Sequence, residues 1–241
     1  VLLMMHVLIP VLGVRGGLLL AASGDVVLGF WLLAQARGEL SPRRMALLAL
    51  CVTGVLAVAI GWGRPDPRAQ LSGAFRTGFA RLDPALEVPF LRDGKTATVA
   101  FFKQGTVGTI ATNGKPDASI EMSDRGIPTD DEYTMVMAAS LPLALHPAPE
   151  RIAVIGWGSG LSTNTLLGSR VPKVVDTIEI EAAMHAGAEG FGNRVLRAYI
   201  DPRSQLHVDD ARTFFAAGQK KYDVIISEPS NPWVSGVSSL F

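Results

Sequence analysis

Hydrophobic positions are spread unevenly along this chain. Residues 45–62 (MALLALCVTGVLAVAIGW) are 18 uncharged, mostly apolar residues. At a rise of about 1.5 Å per residue they form a helix long enough to cross a hydrocarbon core of about 30 Å, so a membrane helix is expected. Residues 16–33 (GGLLLAASGDVVLGFWLL) make a second candidate, with Asp25 near the centre. An intramembrane carboxylate must face a partner helix or take up a proton. The opening run VLLMMHVLIPVLGV is too short to span, and without an initiating methionine it reads as the tail of an earlier helix rather than a signal-peptide core. Residues 1–63 are thus expected to be the end of a longer membrane region, and Phe241 a second cut end. A buried helical hairpin of a soluble domain is the competing reading.

The pattern then changes. Residues 64–87 (RPDPRAQLSGAFRTGFARLDPALE) are polar and punctuated by proline, as in a linker. Within residues 88–128, LRDGKTATVAFFK and TVGTIATNGK are rich in Thr, Val and Phe. Gln104-Gly105 separates them and Asn113-Gly114 closes the second, which predicts hairpin strands of a small β domain. Thr129-Asp130-Asp131-Glu132 fits a capping box and predicts a helix of about three turns through MVMAASLPLAL, broken at His146-Pro147-Ala148-Pro149. From Arg151 onward, RIAVIG, a glycine-rich turn, a helix through Leu166, VVDTIEI, a helix near Ala182 to Phe191, QLHV, ARTFFAA and YDVIIS alternate. That βαβαβαβ order predicts a doubly wound parallel α/β sheet over residues 129–241.

Composition narrows the function classes. The chain has 241 residues, with 22 Lys and Arg against 22 Asp and Glu, so it presents no overall basic charge for nucleic acid. Its mean hydropathy of +0.29 is high, and the excess sits in the first 63 residues. The single cysteine, Cys51, lies in an apolar run and supports neither a disulfide framework nor a Cys-based metal site. His146, His185 and His207 have no metal-like spacing, and no metal is expected. Arg37, Arg43 and Arg44 before residues 45–62 are matched by Arg64, Arg68, Arg76 and Arg81 after them, so charge alone does not orient this run.

Four motifs carry candidate chemistry. Gly156-Trp157-Gly158-Ser159-Gly160 follows an apolar strand and opens a helix, where a ligand can approach backbone N–H groups because no side chain intervenes. A plain tight turn would look the same. Glu179 ends the next strand, where a carboxylate can accept from both ribose hydroxyls. Asp209-Asp210-Ala211 ends the third strand, where an acid can accept from an exocyclic adenine amine, although a helix N-cap would use the same residues. Ser227-Glu228-Pro229-Ser230-Asn231-Pro232-Trp233 follows the fourth strand. There Glu228 could take a proton from an attacking amine and Trp233 could wall the pocket. Asp131, in the first turn of the capped helix, is the candidate on the substrate side.

From about Phe90 to Phe241, TNGKPDAS, TDDEYTMVMAASLPLALHP, IGWGSG, IEIE, VDDARTFF and YDVIISEPSNPW occur in the order found in the polyamine aminopropyltransferases. The chain resembles this spermidine synthase family, and most of all its bacterial membrane-fused, spermidine-synthase-like members. The resemblance implies a class I methyltransferase-like (Rossmann-like) sheet, incomplete at its C-terminal end, preceded by a β-hairpin domain. It also implies decarboxylated S-adenosylmethionine or S-adenosylmethionine as co-substrate, and transfer of an aminopropyl group to a small-molecule amine acceptor. Gly156, Gly158, Ser159 and Gly160 would then cradle the co-substrate, Glu179 would hold its ribose, and Asp209, Asp210 and Ala211 would frame its adenine. Glu228 would occupy the catalytic acid position and Asn231 the neighbouring amine-binding one.

Three departures from the family pattern bear on the acceptor. Ser159 stands where the family has an aspartate, and Met135-Val136-Met137 replaces a Tyr-Gln-Glu run. Glu228-Pro229-Ser230-Asn231 replaces Asp-x-x-Asp, leaving one carboxylate of two. A diamine dication needs anionic partners in a partly desolvated site, so these changes argue against putrescine. A methyltransferase is one rival, and a nucleoside-binding regulator of a membrane transporter is another. The expected setting is a lipid membrane, as a multi-pass protein of the inner or plasma membrane. The soluble part should face the cytoplasm, where S-adenosylmethionine is made. A homodimer is left open.

Overall fold

The computed structural model describes residues 3–35, 41–63, 66–74, 78–218 and 220–228. The chain divides into two compact units, Val1–Pro67 and Arg68–Phe241. In the first unit a π-helical turn, Met4–Leu8, runs directly into α1, Ile9–Gln35, and the path breaks at Gly13 (φ 71°, ψ 170°). The opening run is therefore continuous with the second apolar stretch, joined at a glycine that tolerates a positive φ. Helix α2, Pro42–Trp62, has proline at its start, where no intrahelical N–H partner is lost. Within both helices, hydroxyls turn back on the backbone: Ser23 Oγ donates to Leu19 O (2.7 Å) and Thr53 Oγ1 to Ala49 O (2.7 Å). Such self-satisfaction suits surroundings without water. Both helices are long and apolar enough to cross a membrane.

The second unit opens with an antiparallel sheet of four strands in sequential order: β1 Glu87–Asp93, β2 Thr98–Gln104, β3 Val107–Thr112 and β4 Lys115–Glu121. The two strand-like runs of the sequence thus supply only part of a four-stranded sheet. Asn113 (φ 50°) and Gly114 (φ 77°) form the two-residue turn that joins β3 to β4, with both φ values positive as a type I′ turn requires. The stretch expected as linker is partly packed. Leu71 and Ser72 are buried, and Leu82 N donates to Arg68 O (3.0 Å).

Helix α3, Asp130–Leu145, begins at the capping box: Glu132 N donates to Thr129 Oγ1 (3.2 Å) and Thr129 N to Glu132 Oε2 (3.0 Å). It runs longer than the expected three turns, carries Pro142 inside, and stops at the proline-rich segment. Then follow β5 Arg151–Ile155, α4 Leu161–Leu166, β6 Val174–Glu179, α5 Ala182–Ala188, a 3₁₀ segment Glu189–Val195, α6 Leu196–Ile200, β7 Ser204–Val208, α7 Ala211–Ala217 and β8 Val224–Ser227. All four strands are parallel in the order β7-β6-β5-β8. The helix expected near Ala182 to Phe191 is divided between α5 and the start of the 3₁₀ segment, and α6 has no counterpart in the sequence reading.

The two sheets share one hydrophobic core. Val99, Phe101 and Ile110 of the antiparallel sheet pack with Trp157, Met184, Phe191 and Val195. Phe101 meets the Phe191 ring edge-on at 4.9 Å. Fully burying a side chain of this size contributes roughly 1.5–3 kcal/mol, which ties the antiparallel sheet to the parallel one. The parallel sheet has a second core around Ile152, Leu166 and Val175.

Candidate functional site

Strand register decides which residues meet. Ile155 of β5 pairs with Ile178 of β6 and Ser227 of β8, and Glu179 pairs with Val208 of β7. The glycine loop, Glu179, Asp209 and Glu228 therefore emerge along one carboxyl edge. Strand order runs outward from β5 to β7 and then returns to β8 on the other side of β5. The crevice at that reversal is where open α/β sheets receive ligands, and both the glycine loop and Glu228 border it.

In the loop, Gly156, Gly158 and Gly160 have φ of 91°, 53° and 82°. A side chain at Gly156 or Gly158 would meet nothing within 4 Å, so these glycines answer to backbone conformation and leave open space beside the loop. Glu179 holds the loop in place: its Oε2 accepts from Trp157 N (2.7 Å) and its Oε1 from Glu181 N (2.8 Å). Burial pushes its carboxyl up, the two backbone N–H groups oppose this, and the nearby charges of Asp117 and Glu181 add to the rise. Each oxygen keeps a second lone pair, which is the capacity a ribose diol would use.

Ser159 is fully buried. Its hydroxyl meets Met135 Sδ at 3.0 Å and accepts from Leu161 N at 3.2 Å, so it braces the loop against α3. Trp157 packs edge-on against His185 (4.5 Å between ring centroids) and Tyr199 (5.2 Å) beneath the loop. Asp210 caps α7, its Oδ1 accepting from Thr213 N (2.9 Å), while Asp209 Oδ1 accepts from Asp210 N (2.8 Å). The N-cap reading of this turn is thus realised, and a free oxygen remains on each carboxylate for a ligand.

Glu228 follows β8 at an exposed position. Crowding by surrounding protein, and then the charge of Asp131 on α3, push its carboxyl above the usual glutamate range. The structure thereby brings together two residues that the sequence placed on different elements. Asn231 and Trp233 lie outside the described residues. Among the described residues no three His, Cys, Asp or Glu side chains form a group that could hold a metal ion.

Two site-forming residues were missed by sequence reasoning. Glu181 caps α5 and accepts from Thr96 N (2.7 Å) and Thr96 Oγ1 (2.8 Å), pinning the β1–β2 turn to the end of β6. Asp117 of β4 is half-buried, accepts from Lys115 Nζ (3.2 Å), and has its carboxyl pushed up mainly by desolvation. Its Oδ2 is buried without a hydrogen-bond partner. The antiparallel sheet thus delivers a carboxylate close enough to act on Glu179. An acid in an alternating strand was the available signal.

A spermine/spermidine synthase family model matches residues 132–241. Spermine synthase of Arabidopsis thaliana is 29% identical over 185 residues, covering 73% of this chain and 50% of the plant protein. A polyamine aminopropyltransferase of Erwinia tasmaniensis is 24% identical over 163 residues, covering 67% and 55%. The chain spans about half the length of these curated relatives. Among solved structures, spermidine synthase in complex with the transition state analogue AdoDATO superposes with a TM-score of 0.53 at 18% identity, covering 61% of this chain and 47% of that one. Spermidine synthase from Thermotoga maritima gives 0.51 at 18% identity, covering 58% and 47%. The fold is therefore the Rossmann-like α/β fold of the spermidine synthases. The carboxyl-edge site lies largely within residues 132–241, the stretch that matches the spermine/spermidine synthase family model.

Proposed function

We propose that this chain is part of a membrane-anchored aminopropyltransferase that binds decarboxylated S-adenosylmethionine and passes its aminopropyl group to a small amine. The observation that carries the reading is the convergence of the glycine loop, Glu179, the Asp209-Asp210 turn and Glu228 on one carboxyl edge at the strand-order reversal. The loop backbone and Glu179 would hold the ribose side, and Asp210 the adenine amine. Glu228, with the charge of Asp131 acting on it, would face the acceptor.

In the reaction the acceptor nitrogen attacks the methylene carbon next to the sulfonium. A C–N bond forms, the C–S bond breaks, and its electron pair neutralises the sulfur to leave 5′-methylthioadenosine. The acceptor ammonium must first give up a proton, and Glu228 would accept it. A carboxyl held above its usual range is a stronger base for that step than an ordinary glutamate.

The membrane reading rests on burial. A core helix of a soluble protein is mostly covered, whereas only 6% of the apolar window of α1 and none of that of α2 is buried. The remaining unit is assigned to the cytoplasmic side because its co-substrate is made there.

A second reading, methyl transfer from S-adenosylmethionine, is favoured by Ser159. With no acid in the loop, the carboxylate of the intact co-substrate meets no like charge there. Incubating the full chain with each labelled co-substrate and a panel of polyamines separates the two. Aminopropylated amine with methylthioadenosine supports the first, methylated product with S-adenosylhomocysteine the second, and absence of both products contradicts the two together.

A further inference from the structure

Asp176 lies in the middle of β6 with no exposed surface. A carboxylate there is costly unless it is fully hydrogen-bonded. Its Oδ1 accepts from His207 Nε2 (2.6 Å) and Lys220 Nζ (3.1 Å), and its Oδ2 from Tyr222 Oη (2.9 Å). His207 belongs to β7, two residues before Asp209. Lys220 and Tyr222 follow α7 on the way to β8. All three donors thus come from one segment, from its two ends, and between them lies the turn Asp209-Asp210-Ala211. Rings reinforce the clamp: His207 packs against Phe214 with the rings tilted at 42° (4.7 Å), Phe215 meets Tyr222 edge-on (5.8 Å), and Lys220 Nζ lies 5.8 Å over the Phe214 ring. Asp209, Phe214, Phe215, Lys220 and Tyr222 line a cavity of about 210 Å³, so the clamp and the turn share a wall. Burial alone would raise the Asp176 carboxyl, but the His207, Lys220 and Tyr222 bonds outweigh it and hold the group below its ordinary value. It is therefore an anion throughout the neutral range, with its charge matched, among the described residues, by this segment.

We infer that Asp176 is a positioning residue, a buried anchor that fixes both ends of the β7–α7 segment and so aims the Asp209-Asp210 turn at the adenine. The inference rests on the adenosine reading of that turn. Asp176→Asn keeps the size and turns one acceptor oxygen into a donor facing donors. Tyr222→Phe removes a single bond and provides a milder variant that spares the buried carboxylate.

The test uses the full chain and two readouts: amide hydrogen exchange, and calorimetric binding of 5′-methylthioadenosine and of its inosine counterpart. Asp176→Asn should speed exchange over residues 207–217 without changing it in β1 to β4, with Tyr222→Phe doing so to a smaller degree. It should weaken adenosine binding about tenfold, the scale of a displaced charge-assisted hydrogen bond, and leave the inosine compound unaffected. Unchanged exchange over residues 207–217 in both variants overturns the anchor. Equal weakening of both nucleosides overturns the positioning role, because general destabilisation does not discriminate the 6-amino group. If the unmutated chain binds neither nucleoside the adenosine reading fails, and exchange alone then decides whether Asp176 is the anchor.

Discussion

Glu228 sits where crowding and the neighbouring Asp131 both disfavour its charge, and this shapes what its chemistry should look like. As a base it works only when ionised, so turnover should fall as pH drops through its raised pKa, at a higher pH than an ordinary glutamate would show. Removing the Asp131 charge with Asp131→Asn should move that acid limb to lower pH, measurable as a shifted kcat profile. Glu228→Gln keeps the shape and removes the base. Turnover should fall by at least roughly 10²-fold with co-substrate affinity little changed, since on the proposed reading Glu179 and Asp210 would carry the nucleoside. A near-wild-type rate in Glu228→Gln would remove it from the reaction. Glu179, Asp210 and Glu228 were legible because acids at strand ends stand out against apolar strands. Asp176 was not, although it too is an acid in an apolar strand, because only the tertiary fold shows that three donors from a distant segment surround it. Glu181 and Asp117 share that limitation: their partners lie on the antiparallel sheet or depend on its register.

Among the elements, α3 shows how local chemistry and packing combine. The Thr129–Glu132 box is readable in four letters, and both of its reciprocal bonds form. Glu132 does more than cap, because it also accepts from Glu121 N (2.8 Å) and Arg194 Nη2 (2.5 Å), fastening α3 to β4 and to the 3₁₀ segment. Thr129→Ala should cost about 1 kcal/mol of local stability, which corresponds to roughly fivefold faster amide exchange in the first turns of α3. Glu132→Ala should exceed that, since it frees buried donors as well; equal exchange in the two variants would reduce Glu132 to a cap. The end of the 3₁₀ segment beyond Phe191 and α6 escaped the sequence because Gly192 breaks the helical path (φ 53°, ψ −127°) and each piece is too short to show a period. Their position is set by Phe191 and Val195 entering the shared core. Residues 68–74 read as linker for a similar reason: their composition is that of a loop, and only the fold shows that Leu71 is buried and that this stretch lies against Gly114 of the β3–β4 turn.

At the scale of the whole chain, alternation of strands and helices made the parallel sheet legible, and handed, short crossovers left few ways to order it. The common core of the two sheets was not legible, because aromatic residues such as Phe101 and Phe191, far apart in sequence, find each other only through the fold. The proposed anchoring leads to a directional expectation. A reporter fused after Gly63 should register the cytoplasmic side, and alkaline phosphatase activity at that junction would reverse the assignment. The central claim, however, is that the carboxyl edge holds an adenosine co-substrate through Glu179. It is tested most directly by calorimetric titration of the full chain and of Glu179→Ala with decarboxylated S-adenosylmethionine. The account predicts saturable binding by the unmutated chain and a loss of about 2 kcal/mol in the variant, roughly 30-fold in Kd, because the ribose hydroxyls and the Trp157 N–H lose their acceptor together. Equal affinity in the two proteins would contradict it.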